Sequence, residues 1–405
     1  MVSNTLTLKD IKAARERIGK IIHRTALDHS RTFSEMTGLP VYLKLENLQK
    51  TGSFKLRGAL NKILTLDSDQ ARRGVIAASA GNHAQGVAFG ATAAGIASTI
   101  VMPESAPMAK AAATRGYGAE VILAGANYDA AYATSLEIAK REGQTFIHAF
   151  DDPVVMAGQG TMGLEILEDL PETGTVVIPI GGGGLAAGMA VALKELKPGI
   201  KIIGVQAAGA PAVAETFRNH CRTETLSAVT MADGIAVMKP GMITCEVIQN
   251  YLDDVVTVEE EEIARAILLM LERSKLTVEG AGAVSLAALI SGKIPHTTLP
   301  VVPILSGGNI DVNVISRIIE RGLAQAGRRV RLSAIVPDQP GNLQRILGIV
   351  ADKKANVVQV YHAMDVKNAS FSQVEVDMTL ETRDKAHAEE IVIALCKAGY
   401  FVELR

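Results

Sequence analysis

From Val41 to about Gln325 the chain alternates short β-branched apolar runs with stretches of helical periodicity, and that alternation limits the fold more than any other feature. Strands are expected at Val41–Glu46, Gly74–Ser79, Ser98–Met102, Glu120–Ala124, Thr145–Phe150, Thr175–Ile180, Lys201–Gln206 and Thr298–Leu305. Helical patterns such as Ala59–Leu66, Asn127–Gly143, Val154–Leu170 and Ile263–Arg273 lie between them. Several strands are continuous apolar runs, as in strands covered on both faces. The βαβα order therefore predicts an α/β fold with a parallel sheet and helices on either side. Ligands of such sheets bind beyond the carboxyl ends of the strands, which directs attention to the loops after Ser79, Ile180 and Leu305.

Around Ala326–Arg329 the pattern changes. Strand Val330–Val336, turn Pro337–Gly341, helix Asn342–Lys353, strands Val357–Ala363 and Ser372–Leu380, helix Lys385–Lys397 and strand Tyr400–Leu404 follow in order. This βαββαβ order is that of a split-βαβ, ferredoxin-like unit. A boundary is expected near Gly327, giving a body over 1–326 and an attached module over 328–405.

A chain of 405 residues, 48% apolar and 21% charged, has room for two or three packed units and no disordered signature. Its formal net charge of -2 gives no reason to expect nucleic acid or an anionic membrane as partner. Cys221, Cys245 and Cys396 lie far apart with no CxxC, which argues against a disulfide framework or a zinc site. Thr7 and Asp10 have capping-box spacing ahead of Ile11, Ala14 and Ile18, the start of an amphipathic helix rather than a signal peptide. With no apolar run long enough to span a bilayer, a cytoplasmic protein is expected.

Four segments carry chemistry. Thr51-Gly52-Ser53-Phe54-Lys55-Leu56-Arg57-Gly58 opens a helix just after a strand. Gly52 and Ser53 suit a tight turn and a helix cap, and Phe54 sets an aromatic beside Lys55. Lys55 and Arg57 read most simply as solvated helix-face charges. A lysine held against apolar neighbours, however, has a lowered pKa and forms Schiff bases. Ser79-Ala80-Gly81-Asn82-His83-Ala84-Gln85-Gly86 runs from a strand end into a helix, where backbone N–H groups and the helix dipole suit a carboxylate. Ser79 or Asn82 would equally serve as an ordinary cap, and His83 alone is best read as satisfied by a nearby carbonyl.

Gly181-Gly182-Gly183-Gly184-Leu185 links a strand to an Ala-rich helix. Four glycines in a row cost chain entropy on ordering, so something requires bare backbone there. Donors converging on a phosphate at a helix N-terminus meet that requirement. The run is neither GxGxxG nor GK[ST], which favours one small phosphate over a dinucleotide or ATP. Leu305-Ser306-Gly307-Gly308-Asn309 follows the last strand of the body, and Ser306 there is either a helix cap or a ligand contact. A reactive lysine, a phosphate cup, an anion loop and a lone serine at strand–loop–helix junctions of the expected sheet point to pyridoxal phosphate, a phosphate-bearing carbonyl cofactor bound by lysine.

In order and spacing these motifs resemble the threonine dehydratases (threonine ammonia-lyases) of the fold-type-II pyridoxal-phosphate family, over essentially the whole chain. The resemblance implies a two-lobed body of open parallel sheets, with a smaller lobe over about residues 70–148 that closes on substrate. It implies that Lys55 forms the Schiff base and takes the α-proton, that Phe54 packs by the ring, and that Asn82 bonds the phenolic oxygen. Gly181, Gly182, Gly183, Gly184 and Leu185 would bind the phosphate, and Ser306 the pyridine nitrogen. Ser79, Ala80, Gly81, Asn82 and His83 would receive the substrate carboxylate. A serine at the ring nitrogen, unlike an aspartate, does not hold it protonated, which favours loss of a β-leaving group over transamination. L-Threonine would give 2-oxobutanoate and ammonia, and L-serine pyruvate.

Departures from related enzymes narrow the expectation. Serine racemases carry a second serine where this chain has Ala80, and alanine moves no proton. Those enzymes also hold a divalent cation through carboxylates where Gln206-Ala207-Ala208-Gly209-Ala210-Pro211-Ala212 stands here, so no divalent metal is expected; a monovalent ion on carbonyls stays open. Cysteine synthases have a different lysine context and a threonine at the place of His83. The tail segment Asp338-Gln339-Pro340-Gly341-Asn342-Leu343 is similar to the D-x-P-G-x-L signature of ACT domains. That likeness implies an amino-acid effector, isoleucine or valine, held by Asp338, Gly341, Asn342 and Leu343 together with Asn356 of a partner copy in a homo-dimer or tetramer. Other readings are a serine or 3-hydroxyaspartate dehydratase or racemase relative, and a non-catalytic amino-acid sensor.

Overall fold

The structure, a computed structural model, describes residues 6–363 and 372–404. The chain forms two compact units, one ending at Asp311 and one beginning at Val312. The division falls ahead of Gly327 because the helix Val312–Gln325 packs on the strand Arg329–Pro337 of the second unit.

The alternation is kept in the first unit, which has two parallel sheets, as the resemblance implies, where the βαβα order alone suggested one. Among the described residues, the first sheet has the order Glu120–Leu123, Ser98–Met102, Val75–Ala78, Thr145–Phe146. The second has the order Val301–Pro303, Thr175–Pro179, Lys201–Ala207, Asp254–Val258. The helix Pro153–Asp169, capped by Asp152 on the N–H groups of Val154 (2.7 Å) and Val155 (3.3 Å), carries the chain from one sheet to the other. Every residue of Val75–Ala78 and of Thr175–Pro179 is buried, as continuous apolar runs require when helices cover both faces. Val75, Ala77, Val87, Ile100 and Met102 centre the first core; Ile178, Met189, Ile202 and Val302 centre the second. The strand Asp254–Val258 was not anticipated: it is an edge strand, half exposed, led by Asp253 and Asp254. The expected capping box is present, with Asp10 N–H on Thr7 Oγ1 (3.3 Å) and Thr7 N–H on Asp10 Oδ2 (3.0 Å).

The second unit has the expected βαββαβ order after its leading helix. Its antiparallel sheet runs Asn356–Ala363, Gln373–Glu381, Arg329–Pro337, Phe401–Leu404. Val374, Val376, Met378 and Leu380 alternate inward onto Ile346, Ile391 and Leu395 of the two helices. Gly341 has φ +93, a backbone that side chains rarely adopt, and Asn342 donates to the Pro337 carbonyl (2.9 Å). Asn356 instead pairs with Glu381, opposite Arg329, at the other end of the sheet from Pro337. Within one copy it therefore lies roughly 25 Å, the length of that strand, from the Asp338–Leu343 turn. Among the described residues no helix is long and apolar enough to cross a membrane.

Candidate active site

Lys55 is set in place by backbone more than by caps. Gly52 turns with φ +71, and a Cβ there would collide with the side chain of Asn309. Ser53 was expected to cap the helix Lys55–Ile63, but Phe54 occupies the cap position and the Ser53 hydroxyl is buried with no hydrogen-bond partner among the described residues. The segment is instead stitched to the loop after the last strand: Phe54 N–H donates to Ser306 O (3.1 Å) and Gly308 N–H to Gly52 O (2.9 Å). Lys55 Nζ donates to Ala149 O (3.0 Å) and sits 5.4 Å from the centre of the Phe54 ring. Burial lowers its pKa to about 8, against the opposing pull of Glu279. About a quarter of such amines are neutral at pH 7.5, against on the order of one in a thousand for a free lysine.

Arg57, two residues on, is not solvated. It is fully buried and grips two carboxylates, Glu46 through Nε (2.9 Å) and Nη2 (2.7 Å) and Glu165 through Nη1 (2.7 Å) and Nη2 (2.9 Å). Lys44 Nζ completes the set on Glu165 Oε2 (2.7 Å). Burial alone would raise the Glu46 pKa, but the charge of Arg57 and its hydrogen bonds, with Lys44, hold it below the usual carboxylate range. Two cations against two anions leave no net charge inside, and the cluster ties the Lys55 helix to the strand Tyr42–Lys44 and the helix Pro153–Asp169.

At the first sheet's carboxyl end, neither cap reading of the Ser79–His83 loop holds. Ser79 Oγ accepts from Gly81 N–H (3.2 Å), while Gly81 fills the cap position of the helix Asn82–Ala93. Asn82 makes longer-range bonds described below. His83 is satisfied by a carbonyl, as expected, its Nε2 lying 2.9 Å from Ile147 O. Burial, then the charge of Lys55, push its pKa down to about 3. Burial also lowers His148, whose Nδ1 accepts from the N–H groups of Phe150 (3.2 Å) and Asp151 (2.8 Å).

The glycine run lies at the second sheet's carboxyl end and leads into the helix Gly184–Leu196. A Cβ on Gly182 would enter the ring of Phe150, and Gly183 has φ +99 with Thr244 and Ile248 against it. Side chains are thus excluded, and bare backbone faces the cavity. Ser306, 2% exposed, does not cap a helix: its hydroxyl donates to Ala281 O (3.2 Å).

Sequence reading missed Glu279 and Asn309. Asn82 Nδ2 donates to Glu279 Oε1 (2.5 Å), and Asn309 Nδ2 donates to Asn82 Oδ1 (2.7 Å) and Thr51 O (2.8 Å). Burial first, then the charge of Asp233, raise Glu279 to about 7, so it titrates within about a unit of Lys55. The available signal for Glu279 was one acid heading the otherwise apolar helix Gly280–Ile290. Lys110 and Asp233, also unforeseen, form an ion pair (2.8 Å) between the helix Met108–Gly116 and the short helical turn Asp233–Ile235.

One cavity of about 660 Å³ joins these features, large enough for a cofactor and a small substrate. Phe54, Lys55, the whole of Ser79–His83, Gly181 to Leu185 and Ser306 all line it, as do Glu279 and Asn309. A buried amine whose pKa is lowered to about 8, facing a cup into which no Cβ fits, suits a cofactor with a carbonyl at one end and a phosphate at the other. Fold and cavity thus define an α/β enzyme of carbonyl-cofactor chemistry. Residues 18–307 match the family described as pyridoxal-phosphate dependent enzyme. The chain belongs to that family, and pyridoxal phosphate is its cofactor. It is 49% identical over 399 residues to an L-threonine ammonia-lyase of Thermotoga maritima, covering 98% of this chain and 99% of that one. The fold matches the structure of maize serine racemase (TM-score 0.74, 34% identity, 79% of this chain and 98% of that one). It also matches the processed threonine deaminase isoform 2 of Solanum lycopersicum (TM-score 0.74, 36% identity, 77% and 91%).

Proposed function

We propose that the chain is a threonine ammonia-lyase that converts L-threonine to 2-oxobutanoate and ammonia, and L-serine to pyruvate. The observation that carries this reading is Ala80: the anion loop of the cavity holds a methyl group where racemases of the same fold carry a hydroxyl. The end-to-end likeness to an L-threonine ammonia-lyase supports the same substrate.

When bound, pyridoxal phosphate withdraws electrons from an attached amino acid and acidifies its α-proton. The chain supplies the rest. The N–H groups of Gly181 to Leu185, at a helix N-terminus, hold the phosphate. Phe54 would pack by the ring, Asn82 would meet the phenolic oxygen and Ser306 the ring nitrogen. The N-terminus of the helix Asn82–Ala93, with Ser79 to His83, orients the substrate carboxylate. Lys55, with its lowered pKa, takes the α-proton.

The βαββαβ part of the second unit, over about 328–405, acts in this reading as an ACT-type regulatory module in a homo-oligomer, with isoleucine or valine as effector. Because Asn356 and the Asp338–Leu343 turn lie at opposite ends of one sheet, an effector touching both must sit between two copies.

A steady-state panel of L-threonine, L-serine and 3-hydroxyaspartate, with and without isoleucine and valine, tests the proposal. Ammonia with 2-oxobutanoate from threonine, and pyruvate with little D-serine from serine, is the expected result. D-Serine formed as fast as pyruvate would overturn it.

A further inference from the structure

Building on the reading that Asn82 meets the cofactor, we propose that Asn309 and Glu279 are positioning residues that lock the Asn82 amide with an N–H, and not its carbonyl, toward the cavity. Which end of an amide is nitrogen is ordinarily decided by its hydrogen bonds, and here the chain of bonds is anchored on a backbone carbonyl. The Thr51 carbonyl only accepts, so the Asn309 atom 2.8 Å away is the nitrogen. That same nitrogen lies 2.7 Å from Asn82, so the Asn82 atom it meets is Oδ1. The other arm of Asn82 is therefore Nδ2, which faces an acceptor, Glu279 Oε1, at 2.5 Å.

An amide nitrogen carries two hydrogens, and Glu279 takes one. The second remains on a residue that lines the cavity. A rotated Asn82 would set nitrogen against nitrogen at Asn309, and oxygen against Glu279 whenever that carboxyl is ionised, a loss of hydrogen bonds in a part-buried site. The glycines beside the network give it room: a Cβ on Gly52 would strike Asn309, and one on Gly307 would strike Glu279. Asn82 thus keeps one N–H beyond its bond to Glu279, on a residue that lines the cavity. An oxygen held there is favoured as an anion, a phenolate rather than a phenol, and this is the consequence that can be read out.

A double-mutant cycle on the full-length protein, loaded with pyridoxal phosphate, tests the proposal. Cofactor dissociation constants and the pH dependence of the visible band are measured for wild type, Asn82→Ala, Asn309→Ala and the double variant. Asn82→Ala and Asn309→Ala should each weaken cofactor binding about tenfold and shift the band's pH midpoint upward. The double variant should be no worse than either single one, because Asn309 acts only through Asn82. Asn309→Asp keeps the shape, loses both donors and should match Asn309→Ala, which covers a failure of the alanine variant to fold. Glu279→Gln, which keeps an acceptor oxygen, should bind cofactor more tightly than Glu279→Ala. Additive losses in the cycle would overturn the positioning role while leaving Asn82 a cofactor contact. An unchanged Asn82→Ala would overturn both.

Discussion

Thr244 donates its hydroxyl to the carbonyl of Gly182 at 2.7 Å, and this bond orients the floor of the glycine cup. In a trans peptide the carbonyl and the next N–H point opposite ways, so anchoring Gly182 O on Thr244 turns Gly183 N–H away from Thr244. Thr244 lies in the first turn of the helix Met242–Tyr251, whose first N–H groups, Met242, Ile243 and Thr244, all rest on Asp151 (3.0–3.1 Å). Thr244→Val keeps the shape and leaves the peptide free to turn. Its pyridoxal-phosphate affinity should fall about tenfold in fluorescence titrations. Unchanged affinity would mean that the cup is held by the glycines alone.

Arg57 should matter for stability far more than for chemistry. Arg57→Met leaves Glu46 and Glu165 buried with only Lys44 opposite, a loss of about 3–5 kcal/mol. The thermal midpoint should drop by roughly 5–10 °C. The cluster also has a pH signature. Because the folded pKa of Glu46 is depressed, its contribution is present above the unfolded carboxylate value and is lost as pH falls through the folded one. Wild type should therefore lose stability toward strong acid more steeply than Arg57→Met does in parallel melts.

Lys55 sets the pH dependence of cofactor capture. The attacking amine must be neutral, and its pKa of about 8 lies below that of a free lysine. The rate at which apoenzyme binds pyridoxal phosphate, followed by stopped-flow absorbance, should fall about tenfold per pH unit below 8 and level off above it. A rise continuing to pH 10 would show that the amine is not perturbed.

Effector control is tested at Gly341. A β-branched side chain is strained at φ +93, so Gly341→Val should distort the turn before Asn342. Turnover without effector should stay near normal, while the response to isoleucine or valine should disappear. Coupling of this kind typically amounts to about 5–150-fold in affinity, well within the range of a simple rate assay. A variant that keeps its response would place the effector elsewhere.

Much of the site was legible because its chemistry is contiguous. The glycine run, Lys55 with Phe54, and the loop after Ser79 each place their groups within one short segment at a strand end. Glu279 and the role of Asn309 were not, since they reach Asn82 from 197 and 227 residues away; Asn309 closes the segment that holds Ser306, but nothing in that segment points to a partner so distant in the chain. Arg57 looked solvated because periodicity marks apolar faces and cannot show a buried cation whose partners, Glu46 and Glu165, come from other elements. The two sheets were implied by the resemblance, but the alternation by itself did not show them. Alternation fixes strand order along the chain, whereas pairing is decided by where the helix Pro153–Asp169 packs. The edge strand Asp254–Val258 has three valines, but the run is short and is flanked by Asp253-Asp254 and Glu259–Glu262, so it does not stand out.

The central claim is that Lys55 is the residue joined to the cofactor. Borohydride reduction of the loaded enzyme, followed by peptide mass spectrometry, tests it most directly. The account predicts a visible band that is lost on reduction and a pyridoxyl label on Lys55, with Lys55→Ala folded but without turnover. A label recovered on any other lysine would contradict it.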